Sequence, residues 1–285
     1  YGSGSFSGKE YLDQVTLGSE LVLRNQSIGV ASTAKGFDNV DGILGLGPAE
    51  LTKGTLSPDN GDTIPTVVNT MFTQNSIGAQ VFGISFEPIT SSNGTQMNGE
   101  ISFGGVDSSK YTGEITYTPI TSTSPASTFW GIDAYATYGT EAEPGTTILP
   151  STAGIVDSGT TLLLLASDAY ERFVTATGAV HDQTTGLLSL TPSQFDNLRP
   201  LLFHINGKAF EMTPNALIWP RSLNTLIGGR TDGIYLIVQD LKTLSGQGLD
   251  FILGQVFMER IYTVHDIAKK RMGFATTPHT HDTTN

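Results

Sequence analysis

The 285 residues are 38% hydrophobic, enough to bury a sizeable core, and their length fits one large or two ordinary domains. Charged residues make up only 15%, with 27 Asp and Glu against 15 Lys and Arg, a formal net charge of -12 at pH 7 and an isoelectric point near 4.7. So acidic a surface repels nucleic acid and anionic membranes, no apolar run reaches the roughly 18 residues that span a bilayer, and the absence of Cys excludes disulfides and thiolate chemistry.

The chain opens on YGSGSFSGKEYLDQVTLGS, which reads as two alternating strands around a Gly/Ser turn, with Tyr11, Val15 and Leu17 at a spacing near two. A chain that begins inside a hairpin is expected to have lost what preceded it. In FDNVDGILGLGP, Ile43 and Leu44 are expected to form a short buried strand, with Gly45 and Gly47 permitting close backbone approach. From Pro65 the pattern turns helical, with Pro at the first position and Val67, Val68, Met71 and Phe72 on one face. AQVFGISF and GEISFGG return to strands, and YTGEITYTPI closes a first part near Ile120. Two glycan-acceptor sequons, Asn25-Gln26-Ser27 and Asn93-Gly94-Thr95, fall in this part and matter in a secreted protein.

Beyond 120, STFWGIDAYATYG and TAGIVDSGTTLLLLAS supply strands, and a helix starts at Ser167 with Asp168 and Glu171 in its first turn. Thr191-Pro192-Ser193-Gln194 is a capping box with Pro at the first helical position, opening a second helix. More strands follow, and the final HTHDTTN reads as a frayed tail. His279 and His281 have ligand-like spacing, yet a solvated tail accounts for them and no metal site is expected. Lys269, Lys270 and Arg271 read as a charged turn. Gly45-Leu46-Gly47 lacks the third glycine of a dinucleotide loop, Gly8-Lys9 is followed by Glu10, and no Gly-x-Ser-x-Gly occurs, so neither phosphate motif nor a serine triad is met.

One carboxylate stands apart. Asp157 lies between Ile155-Val156 and a small polar turn that leads into four consecutive leucines. So flanked, it is expected to be poorly hydrated and to need donors or a partner, since lost water disfavours the ionised form. Ser158, the Gly159 N–H, Thr160 and Thr161 supply donors but no partner. Taken by itself, such an Asp would be a turn or cap residue. However, Asp41-Gly42-Ile43-Leu44-Gly45 is echoed by Asp250-Phe251-Ile252-Leu253-Gly254, an internal repeat that predicts two similar halves. A counterpart of Asp157, placed as far ahead of Leu44 as Asp157 is ahead of Leu253, falls upstream of Tyr1. The partner carboxylate is therefore expected outside these residues.

Together these segments resemble the pepsin-like aspartic peptidases. GIVDSGTT is similar to that family's second catalytic motif, apolar-apolar-Asp-[Ser/Thr]-Gly-[Ser/Thr], and YGSGSFSG to its flap tip. VDGILGLGP and DFILGQVF resemble its paired Ile-Leu-Gly strands, GGVDSSKYTGEITYTPI the segment joining its lobes, and ERIYTVHDIAKKRMGFA its C-terminal strands. The resemblance covers nearly the whole chain in family order and is nearest to the cysteine-free secreted fungal enzymes. It departs in lacking the N-terminal strands and the first Asp-[Ser/Thr]-Gly motif.

The resemblance implies a mainly β, bilobal fold of two related β-rich lobes with a few short helices. Residues 1–120 would be the remainder of an incomplete N-terminal lobe with the flap hairpin, and 121–285 the C-terminal lobe carrying Asp157. It implies that Asp157 is one of two aspartates that share a proton and activate a water. Gly159 would bring its N–H to the carboxylate, Thr160 would bond an outer oxygen, and Ser158 would tie the two active-site loops together. Gly254 would let the 252–253 strand pass beside the loop. Tyr1, Gly2 and Ser3 match the flap tip, and Thr161, Ile155 and Phe129 are further candidates for the substrate cleft. The implied activity is that of a secreted, extracellular, monomeric aspartic endopeptidase, acting on extended polypeptides in acid. It would need no cofactor, bind statine-type peptide inhibitors, and carry glycans at Asn25 and Asn93. The competing readings are a non-catalytic binding or inhibitor protein of the same fold, or an inactive fragment of the peptidase. The Asp157 motif, Thr160 and the flap argue for the enzyme, while the 285 residues alone are expected to be inactive.

Overall fold

The computed structural model describes residues 1–2, 4–37, 40–91, 96–143 and 145–283. Two compact units make up the chain: Tyr1–Val81 with Phe103–Gly105, and Phe82–Ser102 with Val106–Asn285. In the first, the run predicted as two strands is a single one, β1 (Ser5–Leu17), paired antiparallel with β2 (Leu21–Lys35). The turn falls after Leu17, where Gly18 takes φ +62°, and not at the small residues before Gly8. Gly8 is held inside the ladder instead, since a Cβ there would sit 1.9 Å from the Val30 carbonyl oxygen. A bulge opposite Gln14 lets exposed Asn25 adopt φ +54°.

The helix predicted from Pro65 is α1 (Val67–Thr73), and Pro65 precedes it. Thr66 is the N-cap, in a reciprocal capping box with Asn69. Val67, Val68 and Met71 form the buried stripe and leave Phe72 exposed at its rim. Ile43 and Leu44, predicted as a buried strand, lie in irregular backbone and are 51% and 46% exposed. Among the described residues no strand pairs with theirs, and an unpaired strand leaves its backbone donors and acceptors to water.

From Val81 onward the chain runs through β3 (Val81–Phe86), β4 (Gly99–Phe103), β5 (Thr112–Pro119), β6 (Gly131–Tyr138), β7 (Thr146–Val156), β8 (Leu163–Leu165) and α2 (Ser167–Thr177). Next come β9 (Val180–His181), β10 (Leu188–Leu190), α3 (Pro192–Asp196), β11 (Leu201–Ile205), β12 (Lys208–Met212), β13 (Ile234–Leu236) and β14 (Val238–Asp240). The last elements are β15 (Phe251–Leu253), α4 (Gln255–Met258), β16 (Ile261–Asp266) and β17 (Arg271–Thr276). Three sheets result, in the orders β12-β11-β6-β7-β15-β8-β14, β4-β3-β16-β17-β5 and β13-β10-β9. Because β3, β4 and β5 share a sheet with the C-terminal strands, contacts group 82–102 and 106–120 with the later chain, whereas the sequence-based boundary lies after 120.

Period-two patterning sets the core. Along β6, Ile132, Ala134, Ala136 and Tyr138 are buried while Asp133 and Tyr135 face out. Phe203, Phe210, Phe251, Phe257 and Phe274 meet at ring-centroid separations of 5.7 to 6.5 Å, within the range of favourable aromatic pairs. Gly83 is needed in this packing, since a Cβ there would lie 1.9 Å from the hydroxyl of buried Tyr262.

Local signals for the helices hold. Asp168 occupies the first turn of α2, whereas Glu171, expected there too, falls in the second turn because the helix begins at Ser167; α2 ends at Gly178 with φ +66°. The α3 capping box forms, with the Gln194 N–H donating to the Thr191 hydroxyl and the Thr191 N–H to Gln194 Oε1 at 2.8 Å. Thr191→Ala removes the cap, and thermal unfolding is expected to show a loss of about 1 kcal/mol, a fall of about 2–4 °C in Tm.

The C-terminal stretch is not frayed through 283. The Arg260 guanidinium donates to the carbonyls of His279 and Asp282, both at 3.0 Å, and Thr280 is 1% exposed with its hydroxyl on the Arg260 carbonyl. His279 Nδ1 pairs with the Asp282 carboxylate at 2.7 Å. A polar sequence gives no sign of this, because the anchor is a guanidinium contributed by a distant segment. Lys269 and Lys270 do form the turn between β16 and β17, with Arg271 bonded to Asp266 at 2.8 Å.

Candidate functional site

The centre of the seven-stranded sheet is built out of sequence order. β15 is inserted between β7 and β8, parallel to the first and antiparallel to the second, so that Ile252 stands opposite both Ile155 and Leu164. The 157–162 loop joins the two flanking strands across its end. Asp157 continues directly from β7, and its N–H donates to the Leu253 carbonyl at 3.0 Å. The Thr160 N–H closes the turn on the Asp157 carbonyl at 3.2 Å.

Within that turn each carboxylate oxygen of Asp157 receives one donor. The Gly159 N–H reaches Oδ1 at 2.9 Å, and the Thr160 hydroxyl reaches Oδ2 at 2.7 Å. Bonds of this kind to an ionised carboxylate are charge-assisted and roughly twice as strong as neutral ones. The carboxylate is half-buried and not dehydrated as its apolar flanks predict, because the loop turns outward at once and leaves Ser158, Gly159 and Thr161 exposed.

Two glycines let these strands approach. A Cβ on Gly254 would stand 2.2 Å from the Leu162 carbonyl oxygen and 2.5 Å from that of Thr160, and one on Gly154 would enter the Phe251 ring at 2.4 Å. Gly254 opens α4, whose first N–H groups bond the loop: Gln255 to the Thr160 carbonyl at 2.7 Å and Val256 to the Thr161 carbonyl at 3.1 Å. Sequence reasoning picked out Gly254 but missed Gln255 and Val256, which act through backbone and leave no side-chain signal. It also passed over the role of Asp250, which is fully buried and accepts from the Thr152 hydroxyl, Gly246 N–H and Gln247 N–H. Those bonds fix the turn that launches β15.

The remaining predicted residues scatter. Ile155 is 6% exposed and belongs to a core cluster with Ala126 and Ala153, so it is unavailable to line a cleft: this end of β7 is covered on both faces, with 153–156 all buried. Phe129 is half-buried against the same cluster. Tyr1 and Gly2 are exposed residues of the first unit, the Tyr1 ring standing edge-on to Phe37 at 5.0 Å. Ser3 lies outside the described residues, as does Asn93. Asn25 is exposed at its bulge, and the Ser27 hydroxyl of the same sequon donates to the Glu10 carboxylate. Among the described residues no group of three or more His, Cys, Asp or Glu could hold a metal, and no helix is long and apolar enough to cross a membrane.

The eukaryotic aspartyl protease family profile matches residues 1–277. Polyporopepsin of Irpex lacteus is 59% identical over 285 residues, covering 100% of this chain and 82% of the relative. Rhizopuspepsin-1 of Rhizopus niveus is 34% identical over 268 residues, which are 93% of this chain and 60% of the relative. The crystal structure of aspartic proteinase from Irpex lacteus is similar at a TM-score of 0.96 and 58% identity, covering 100% of this chain and 82% of that one.

Proposed function

This chain belongs to the eukaryotic aspartyl protease family, and from that premise we propose that Asp157 is one carboxylate of the pair with which an aspartic endopeptidase cleaves polypeptide. The mainly β fold, with a few short helices, is that of a pepsin-like enzyme. The observation that carries the reading is the two-point clamp on Asp157, one donor to each oxygen. With Gly159 and Thr160 fixing its plane, the carboxylate presents its remaining lone pairs outward in a set orientation.

Two close carboxylates cannot both ionise cheaply, so in aspartic-protease dyads one keeps its proton while the other is a base. The ionised member accepts a proton from water as that water attacks the peptide carbonyl, and the protonated member donates to the developing oxyanion. In this proposal exposed Ser158 ties the Asp157 loop to the partner loop. Tyr1, Gly2 and Ser3 close over extended substrate, excluding water, and Thr161 contributes to the cleft. Statine-type peptides would occupy the same site. The exposed Asn25 is open to glycosylation, in keeping with a secreted, extracellular protein, and the similarity to the Irpex lacteus and Rhizopus niveus enzymes favours a fungal source; the protein would act as a monomer.

Asp157 carries the one Asp-[Ser/Thr]-Gly motif in the 285 residues, and among the described residues its carboxylate bonds only to its own loop. Hydrolysis thus requires a second carboxylate presented from elsewhere. Purified as these 285 residues, the protein is expected to leave acid-denatured substrate uncut at about pH 4. Statine-sensitive cleavage under those conditions would show that one motif suffices and would overturn the paired mechanism.

A further inference from the structure

An ionisable group that the proposed reaction does not use sits at the far end of α4. Glu259 caps that helix and is 8% exposed. It lines a cavity of about 10 Å³, room for a single water. The walls from 88–89 and 216–220, with Ile237 and Val256, bring no ionisable side chain. Glu87, ahead of the first, is exposed, and Arg221, after the second, places its guanidinium 5.1 Å from the Phe195 ring centroid. Arg260 is the charged neighbour at the cavity, and its guanidinium is committed to the His279 and Asp282 carbonyls. The His279 ring and the Asp282 carboxylate pair with each other. Among the described residues Glu259 makes no ion pair, and its side-chain hydrogen bond is a long one from Gln255 Nε2, 3.4 Å.

We propose that Glu259 is a positioning residue for the Asp157 loop. While protonated it lets α4 stay packed, and α4 holds the loop through the Gln255 N–H on Thr160 and the Val256 N–H on Thr161; once ionised it draws in water, unseats α4 and slackens the loop. The physical basis is that a carboxylate without a partner cannot remain in an apolar wall, so either water must enter or the wall must part. Burial pushes the Glu259 carboxyl up from 4.5 to about 7, opposed more weakly by the Arg260 charge and the Gln255 amide. The folded chain then holds this proton more tightly than the unfolded chain. Its stabilising contribution is complete below about pH 4.5, declines as pH rises and is gone above about pH 7. The latch is set in acid and released near neutrality. It depends on helix-to-loop bonds alone and stands whether or not Asp157 is catalytic.

Amide hydrogen exchange of this chain, expressed as protection factors that remove the intrinsic pH effect, tests it between about pH 4.5 and about pH 7.5. Protection at 160 and 255–258 is expected to fall on the order of 100-fold across that interval in the wild type, while β11 and β12 keep theirs. Glu259→Gln, of equal size and uncharged, should hold its protection within about threefold. An equal fall in Glu259→Gln, a flat wild-type profile, or a fall spread evenly over the second unit would each overturn the proposal. Should Glu259→Gln fail to fold, Glu259→Met, whose unbranched chain suits the apolar walls, is compared in the same way. The wild-type profile decides even without either variant, since flat protection removes the latch.

Discussion

Asp157→Asn is expected to keep the fold and lose the chemistry. In the peptidase assembled with its second carboxylate, kcat/KM should fall by about three orders of magnitude or more, as when one member of an acid-base pair is removed. The substitution preserves size and shape, and an amide oxygen can still accept from the Gly159 N–H that now reaches Oδ1 at 2.9 Å. The backbone anchor of residue 157 to the Leu253 carbonyl does not involve the side chain at all. What is lost is a group able to take a proton from water and return it. Steady-state kinetics on a peptide substrate, with Tm measured on the same preparations, separates the two. A variant that keeps a tenth of the activity would remove Asp157 from the reaction.

Gly254→Ala should damage the molecule more than any change on its surface. The added methyl would stand 2.2 Å and 2.5 Å from the carbonyl oxygens of Leu162 and Thr160, and these are backbone atoms that cannot swing aside as a side chain can. On one side β15 is locked to β7 and β8; on the other α4 is bonded to the loop. Relief requires displacing the loop, which breaks the bonds from Gln255 and Val256 at about 1 kcal/mol each, with overpacking strain added. A total near 3 kcal/mol or more is expected in urea unfolding, or no soluble protein. Gly105→Ala is the control: nothing lies within 4 Å of its Cβ position, and its effect should stay within about 0.5 kcal/mol. Equal stability for the two variants would mean that the loop yields freely.

Legibility in the sequence followed the range of the interactions. The capping box at Thr191, the alternation along β6 and the donors offered to Asp157 by Gly159 and Thr160 are made within a few residues, and each could be read from its own segment. The Asp157 motif together with segments in family order was sufficient for the family and for the mainly β architecture. Ile43 and Leu44 show where that fails, because a strand is a property of a pair and a run of apolar residues does not carry its partner with it. Ile155 was offered to substrate although its neighbour Asp157 is the group that turns outward. The tail is the opposite error, and Glu259 drew no reading at all, since the burial of both comes from walls contributed by other segments of the chain. Neither leaves a trace in local composition.

The insertion of β15 between two strands made much earlier has a consequence for biosynthesis. A growing polypeptide leaving the ribosome makes β7 and β8 with an empty lane between them, and the Leu253 carbonyl and Gly254 that set residue 157 emerge only after α2, α3 and the strands from β9 to β14 have followed. The carboxylate is therefore translated well before it is fixed in position. Until β15 has been delivered, position 157 has no backbone anchor on which to set its side chain.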